Sequence, residues 1–418
     1  MGDLTARTEL ASARLAYEHV ERLCELGDRF AGRSGDTLAA AYVKQVFAGL
    51  DLEIEQVDVA VHTWHEERCR LLLGDGTELE AVAPFFGGAT AGPLTAPVLW
   101  LESQKQLADA TVDGKVVCLP AETGYGLFWL GGLAAGLRDR GAAALLLVHA
   151  MPWPYRPTME SGQGRIDARF SEPRLPAVVI SSTGGRELAR ALGAGMTTVT
   201  LDIATELEPC VSPCLAGVRR GSSNESKRVV VLAHRDHACP PGANDNGSGT
   251  AAMLEVARLL AGEQHERSLV FLSTAAEESA AAGAQRYIES LGARADDIAC
   301  VVSLDMIAAG GPLNVVETAW WPDLGALPHT DWLNDCLVET ADELGYRLGR
   351  MQGDWGAAES GRFLAAGIPA AWLWKPDDPR YHSDRDTPAG VDPNALKVAA
   401  DIVAAAVRKL ANGPLPPR

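Results

Sequence analysis

The sequence predicts an α/β protein: a twisted, mostly parallel or mixed sheet with helices on both faces, interrupted by a second, mostly β module. Three observations carry this prediction. Beyond residue 205, short apolar runs alternate with segments of helical period, the pattern of strands covered by crossover helices. The run VVVLA at 229–233 is apolar at every position, as suits a strand buried on both faces. Between about residues 69 and 205 the texture changes to short β-like runs separated by Gly and Pro turns. The expected division is one discontinuous domain, residues 1–68 and 206–418, with residues 69–205 inserted into it.

Taken in order, residues 8–31 carry a rough helical period through Leu10, Leu15, Val20, Leu23 and Leu26 that breaks at Gly27. A second helix is predicted over 37–50, with Asp36 or Thr37 as its N-cap. Residues 52–63 alternate apolar and polar with one slip in phase, which predicts a half-buried strand with a bulge. Inside the insert, strands are expected at 70–73, 96–101, 115–119, 144–148 and 176–180, and helices at 131–141 and 184–192. The stretch 151–173, rich in Pro, Gly and charge, is expected to act as a flap. After a run at 200–208, strands are predicted at 229–233, 269–273, 298–304 and 370–374. Helices are predicted at 249–261, 280–291, 331–344, 357–366 and 393–411, and a loop between 304 and 331.

The net charge of -18 and the lack of any basic run argue against nucleic-acid or acidic-membrane partners. The first residues include early acids and no apolar signal core, and no apolar run is long enough to span a bilayer. A cytoplasmic protein is therefore expected. The eight cysteines are scattered rather than set in a spaced framework, which suits buried thiols in a reducing compartment. Cys210 and Cys214 lack a second Cys or His pair nearby, so no zinc knuckle is expected there. Cys239 lies between His234 and Asp245, where it could reach a metal, but an uninvolved thiol is the expected reading. The oligomeric state is open, a homo-oligomer included.

Four groups of chemical interest sit at or just after predicted strand ends, where open α/β sheets place ligands. They are His234 and Asp236 with Asp245; Glu277-Glu278; Asp305; and Tyr381-His382 with the acids that follow. Singly, each has an ordinary explanation: an EE pair is often a solvated helix start, and a strand-terminal Asp is often an N-cap. Together they deliver two His and several carboxylates to one sheet edge, a mix that suits one or two zinc ions. Two metals at ~3.5–4 Å need a bridging carboxylate, a His and a carboxylate apiece, and a base left unligated.

These motifs resemble the signature of the M28 zinc aminopeptidases. The matching stretches are AHRD at 233–236, GANDNGSG at 242–249, AEE at 276–278, LDM at 304–306 and YHSDRDT at 381–387. The segment 19–49, with DRFAG at 28–32, is similar to the stretch that opens these peptidases. The insert resembles a protease-associated (PA) domain through DGKVV at 113–117, RGAA at 140–143 and LPAV at 175–178. The resemblance implies a zinc-exopeptidase, phosphorylase/hydrolase-like fold and hydrolysis of an amide bond, first of all as an aminopeptidase on peptides with a free amine.

It also implies two Zn2+ ions, with Co2+ or Mn2+ as other divalent occupants. His234 and Asp305 would ligate one, Glu278 and His382 the other, and Asp245 would bridge. Glu277 would be the general base, Asp236 the partner that orients His234, and Tyr381 a hydroxyl that stabilises the tetrahedral intermediate. The chain departs from the pattern at 353–363, where Glu359 and Ser360 stand in place of a usual Asp-His pair. His237 follows the HxD motif where a small residue is usual, and a hydrogen-bonding role is expected for it. Trp320, Trp321, Trp355, Trp372 and Trp374 are expected either to line an apolar pocket or to be core aromatics. Three other functions fit less well: a glutaminyl-cyclase-like acyltransferase with one zinc, an amidase or deacylase on a small natural product, and a non-catalytic peptide binder.

Overall fold

Residues 9–120, 130–159, 174–223, 227–321, 323–353 and 358–416 are described in a computed structural model of the chain. The strands are β1 (Glu53–Leu73), β2 (Glu78–Leu79), β3 (Ala81–Val82), β4 (Leu94–Trp100), β5 (Val116–Pro120), β6 (Ala144–Val148), β7 (Ala177–Ile180) and β8 (Thr198–Arg219). They continue with β9 (Arg228–His234), β10 (Ser268–Thr274), β11 (Ile298–Leu304), β12 (Asn314–Trp321), β13 (Gly325–Pro328), β14 (Gly349–Gln352) and β15 (Ala370–Trp374). The helices are α1 (Ala13–Glu25), α2 (Ser34–Gly49), α3 (Gly131–Asp139), α4 (Ser182–Gly193), α5 (Gly249–Leu260), α6 (Ala282–Leu291), α7 (Asp331–Glu343), α8 (Ser360–Ala365) and α9 (Pro393–Asn412).

The centre of the sheet runs β15-β11-β9-β10, and all three pairings are parallel. Alternate side chains of β9 serve opposite faces. Val229, Val231 and Ala233 join a core with α1, α2, α5, α7 and α9, through Val20, Phe47, Met253, Leu337 and Val403. Val230 and Leu232 join the other core, with Tyr287 of α6 and Phe363 of α8. Burial on both faces explains why the strand is apolar throughout; each such Val or Leu contributes roughly 1.5–3 kcal/mol. The insert repeats the scheme on a smaller scale. In its parallel strands β5, β6 and β7, Val116, Cys118, Leu146 and Val178 face one cluster, whereas Val117, Leu119, Leu147 and Val179 face another.

Most predicted strands and helices form close to where they were expected, but α2 starts at Ser34 with Arg33 at its N-cap, not Asp36 or Thr37, and two longer stretches differ. The runs at 52–63 and 70–73 are a single strand, and 200–208 is part of β8. The two strands make an antiparallel ribbon from Glu53↔Val218 to Leu73↔Val199, whose irregularity lies between Glu66 and Arg68 rather than earlier. Pro209 and Pro213 read as strand breakers in sequence. In the fold they lie where β8 has β1 alone as a neighbour among the described strands, so their missing amides are tolerated. Positions 69 and 205 fall inside this ribbon. The expected loop between 304 and 331 instead contains the hairpin β12–β13, and β14 pairs beside it. Among the described residues no helix is long and apolar enough to cross a membrane. Of the expected flap, 151–159 is described and 160–173 lies outside the described residues.

Candidate metal centre

Because β15, β11, β9 and β10 are parallel, their C-terminal ends open onto one edge. His234 is the last residue of β9, in register with Thr274 at the end of β10. The chain leaves β10 through Ala275 and Ala276 to Glu277 and Glu278, and Asp305 directly follows β11. His382 comes from the loop after β15. Ala276, Met306 and His382 have φ values of 55°, 51° and 50°. Left-handed backbone at non-glycine residues costs about 1–3 kcal/mol each and collects at functional sites. Here each strained residue either carries or adjoins one of the convergent side chains.

Asp245 is delivered by the turn between β9 and α5. Asp386 accepts the backbone N–H groups of Asn244 at 2.8 Å and Asp245 at 2.9 Å. Asn246 Nδ2 donates to the Leu304 carbonyl at 2.9 Å, while its Oδ1 accepts from the Gly249 and Met306 amides. Ser248 and Thr250 donate to the Asn244 and His234 carbonyls, at 2.7 Å each. A Cβ on Gly249 would come within 2.2 Å of the Leu304 carbonyl, so only glycine lets α5 start this close to β11. The motif GANDNGSGT is thus a hydrogen-bonded clamp on the β11 end.

A buried arginine braces this turn. Arg29 donates to the carbonyls of Leu23, Arg235, Pro241 and Gly242, at 2.8–2.9 Å. Arg235, also buried, donates to Thr274 O, Asp36 Oδ1 and Ser212 Oγ. The DRFAG segment at 28–32 therefore supports the centre from behind.

The convergent side chains divide into two groups that share one residue. Asp245 Oδ1 faces His234 Nε2 at 3.5 Å, and Asp305 Oδ1 faces the same nitrogen at 3.5 Å. Asp245 Oδ2 faces His382 Nε2 at 3.1 Å, and Glu278 Oε2 faces that nitrogen at 3.2 Å. Within each group the donor atoms lie within 4.8 Å of one another, and Glu277 joins His234 and Glu278 in a third such set. Both imidazole nitrogens of His234, Asp305 Oδ1 and Glu278 Oε1 are buried without a hydrogen-bond partner among the described residues. Buried polar atoms left in that state are costly, and a cation between them removes the cost. Imidazole and carboxylate donors gathered in this way are of the kind that hold divalent metal ions.

The electrostatics agree. Burial pushes Glu277 well above the usual carboxylate range, with Glu278, Asp305 and Glu359 adding to it. Burial raises Glu278 to about 7, against the pull of His382. For His234 burial opposes the charged form, but Asp305 and Asp236 outweigh it and the imidazole rises well above its ordinary value. His382 behaves likewise under Glu278 and Asp245. Without a cation this centre is a reservoir of protons.

The remaining expected residues fall as follows. His234 Nδ1 faces Asp236 Oδ1 at 3.6 Å, while Asp236 Oδ2 accepts the Glu278 amide at 3.2 Å. The Tyr381 ring stacks on that of His382, centroids 3.7 Å apart. His237 Nε2 accepts the Arg29 amide at 2.9 Å and stands outside the metal-capable groups, as does Cys239, whose sulfur accepts from Arg156 Nε at 3.2 Å. Trp321, Trp372 and Trp374 are buried in apolar clusters, Trp320 is exposed, and Trp355 lies outside the described residues.

Sequence reasoning assigned no role to Glu359, Ser360 or Asp386. Glu359 is buried, accepts from Thr274 Oγ1 at 2.7 Å and is raised to about 8, chiefly by burial. Ser360 Oγ pairs with His329 Nε2 at 2.9 Å. Asp386 sits in the YHSDRDT motif, where its neighbours in sequence gave no sign that it would hold Asp245.

Residues 215–407 match the sequence model of peptidase family M28. Aminopeptidase YwaD of Bacillus subtilis (strain 168) is 29% identical over 247 residues, which are 56% of this chain and 51% of YwaD. The probable lipoprotein aminopeptidase LpqL of Mycobacterium tuberculosis is 25% identical over 424 residues, 91% of this chain and 80% of LpqL. The chain thus spans about half the length of the first of these relatives and most of the second. The fold is shared with BSAP, described as a zinc aminopeptidase from Bacillus subtilis, with a TM-score of 0.76 and 24% identity over 97% of each chain.

Proposed function

We propose that the chain, whose residues 215–407 match the sequence model of peptidase family M28, is a zinc-dependent aminopeptidase that holds two zinc ions across Asp245. One observation carries this reading: the two oxygens of Asp245 face two different His-carboxylate pairs, His234–Asp305 and His382–Glu278. The unpartnered donor atoms of this centre fit zinc, whose usual ligands are imidazole nitrogen and carboxylate oxygen. His234 and Asp305 would hold one ion and His382 and Glu278 the other, with Asp245 shared between them. Bound zinc supplies a Lewis acid that acidifies the attacking water and polarises the scissile carbonyl.

The chain's own groups do the rest. Glu277 is half-buried beside His234 and Glu278, and its carboxylate takes a proton from the water and returns it to the leaving amine. Asp236, 3.6 Å from His234 Nδ1, would orient that ring as the site closes around a metal. Tyr381, on the loop that carries His382, offers its hydroxyl to the developing oxyanion. Residues 69–205 are read as a PA-like module carried on the β1–β8 ribbon. The cytoplasm is proposed as the compartment, on the strength of eight free cysteines.

Digestion of a peptide library, half with free and half with acetylated N-termini, tests the activity by mass spectrometry. Stepwise loss of first residues from free N-termini alone, abolished by a chelator, is expected. Loss of ammonia from N-terminal Gln would indicate a cyclase instead. An inert library with zinc-loaded protein would move the reading to a small-molecule amide.

A further inference from the structure

We infer that Arg156, on the inserted segment between β6 and β7, is the positioning residue that fixes the orientation and tautomer of His382. The inference rests on the reading of His382 as a zinc ligand and names what holds that ligand in place.

Arg156 and His382 are 226 positions apart, yet their backbones and side chains interlock. The Arg156 amide donates to the His382 carbonyl at 3.0 Å, and His382 Nδ1 lies 2.9 Å from the Arg156 carbonyl. A carbonyl oxygen only accepts, so Nδ1 must carry the proton, and Nε2 is left with its lone pair directed at Asp245 and Glu278. An N–H donated to a backbone carbonyl fixes the ring of a metal-ligating His and raises its basicity. The strained φ of 50° at His382 is held by the same two-bond pairing.

The position of that carbonyl is itself pinned by the Arg156 side chain. Its Nη1 donates to Glu66 Oε2 at 2.9 Å and to the Ala83 carbonyl at 2.7 Å, and its Nε donates to Cys239 Sγ at 3.2 Å. The guanidinium lies 5.0 Å from the centroid of the Trp64 ring and 5.7 Å from that of Phe85, while Phe85 stands edge-on to His382. A neighbouring latch ties the same segment down: Trp153 Nε1 donates to the Pro379 carbonyl at 2.7 Å, with Arg385 over its ring. The guanidinium thus joins β1, the insert and the β9–α5 turn around one carbonyl. Arginine alone supplies this forked set of donors together with stacking on an aromatic face.

Pairing of the insert with His382 makes the two ion sites unequal in what they depend on. Loss of the Arg156 side chain should loosen the His382–Glu278 site and leave the His234–Asp305 site alone. Zinc competition with a fluorescent chelator, on the full chain, measures both dissociation constants. For Arg156→Ala we expect one constant to rise about tenfold or more and the other to change less than twofold. Arg156→Lys should restore only part of the loss. Glu66→Gln, which keeps the packing, should move the same constant in the same direction, and it carries the measurement if Arg156→Ala does not fold.

A readout independent of zinc is the 15N-histidine NMR spectrum of the metal-free wild-type protein at high pH, where a neutral His382 should show its proton on Nδ1. A proton on Nε2, or zinc constants in folded variants that move together or not at all, would overturn the inference. A wild type with the Nδ1 proton but no zinc affinity would overturn the proposed function and leave the pairing standing.

Discussion

Asp386 Oδ2 accepts the backbone N–H of Asp245 at 2.9 Å, so one carboxylate aims another. The outer residue is buried and raised to about 7, first by burial and then by Asp245 and Asp378. It belongs to none of the metal-capable groups, but it sets the turn on which Asp245 sits. Asp386→Ala should remove both amide contacts. Asp386→Asn should turn an N–H2 group toward one of them. We expect both variants to lose zinc affinity by roughly 10–100-fold, measured by chelator competition. An unchanged affinity would mean that the turn holds Asp245 without help.

In the proposed mechanism Glu277 transfers the proton and is a ligand of neither ion. Glu277→Gln should keep zinc content while turnover falls by a factor on the order of 10² or more. Zinc content by elemental analysis, beside initial rates on a free N-terminal peptide, separates the two effects. Loss of zinc from this variant would make Glu277 a ligand instead.

Arg29, itself fully buried, meets four backbone carbonyls. Arg29→Met keeps much of the volume and leaves those acceptors unpaired. The metal-free protein should lose about 3 kcal/mol or more in urea unfolding. A loss below about 1 kcal/mol would show that the turn relaxes to re-satisfy its carbonyls.

The proton reservoir gives the metal-free protein a defined pH response. Glu278 is raised to about 7, Glu359 to about 8 and Asp386 to about 7, in each case first by burial. These groups bind protons more tightly folded than unfolded, where carboxyls titrate near 4. Their stabilisation is therefore fully present below about pH 4 and is lost as pH rises through 7 to 8. His234 and His382, also raised, contribute with the same sign, lost above their folded values. The melting temperature of chelator-treated protein should fall between about pH 5 and 8, and zinc should flatten or reverse that fall. A chelated protein that grows more stable across this range would contradict the account.

Much of this was legible in the sequence because the relevant signals are local. A strand buried on both faces is apolar nearly throughout: 229–233 is so at every position, and 298–304 at all but Ser303. The residues at strand ends declare themselves because a short polar motif follows each apolar run. The ribbon was not legible as a whole, because Pro209 and Pro213 break the pattern and their tolerance depends on which neighbours β8 has. The β12–β13 hairpin was hidden by a similar dependence: its β-branched and aromatic run NVVETAWW finds its meaning only beside β15. The supports of the centre were hidden for a different reason. Arg29, Arg156 and Asp386 act by contacting backbone atoms far away in sequence, and a backbone partner leaves no residue type to search for. Glu359 was noticed only as a departure from a pattern; its burial behind Thr274 is a fact of packing.

The measurement that tests the central claim most directly is anomalous diffraction at the zinc edge from crystals of the zinc-loaded protein. The account predicts two peaks about 3.5–4 Å apart, one on each side of the Asp245 carboxylate. One would lie toward His234 and Asp305 and the other toward His382 and Glu278. A single peak under saturating zinc, or two peaks that do not share Asp245, would contradict it.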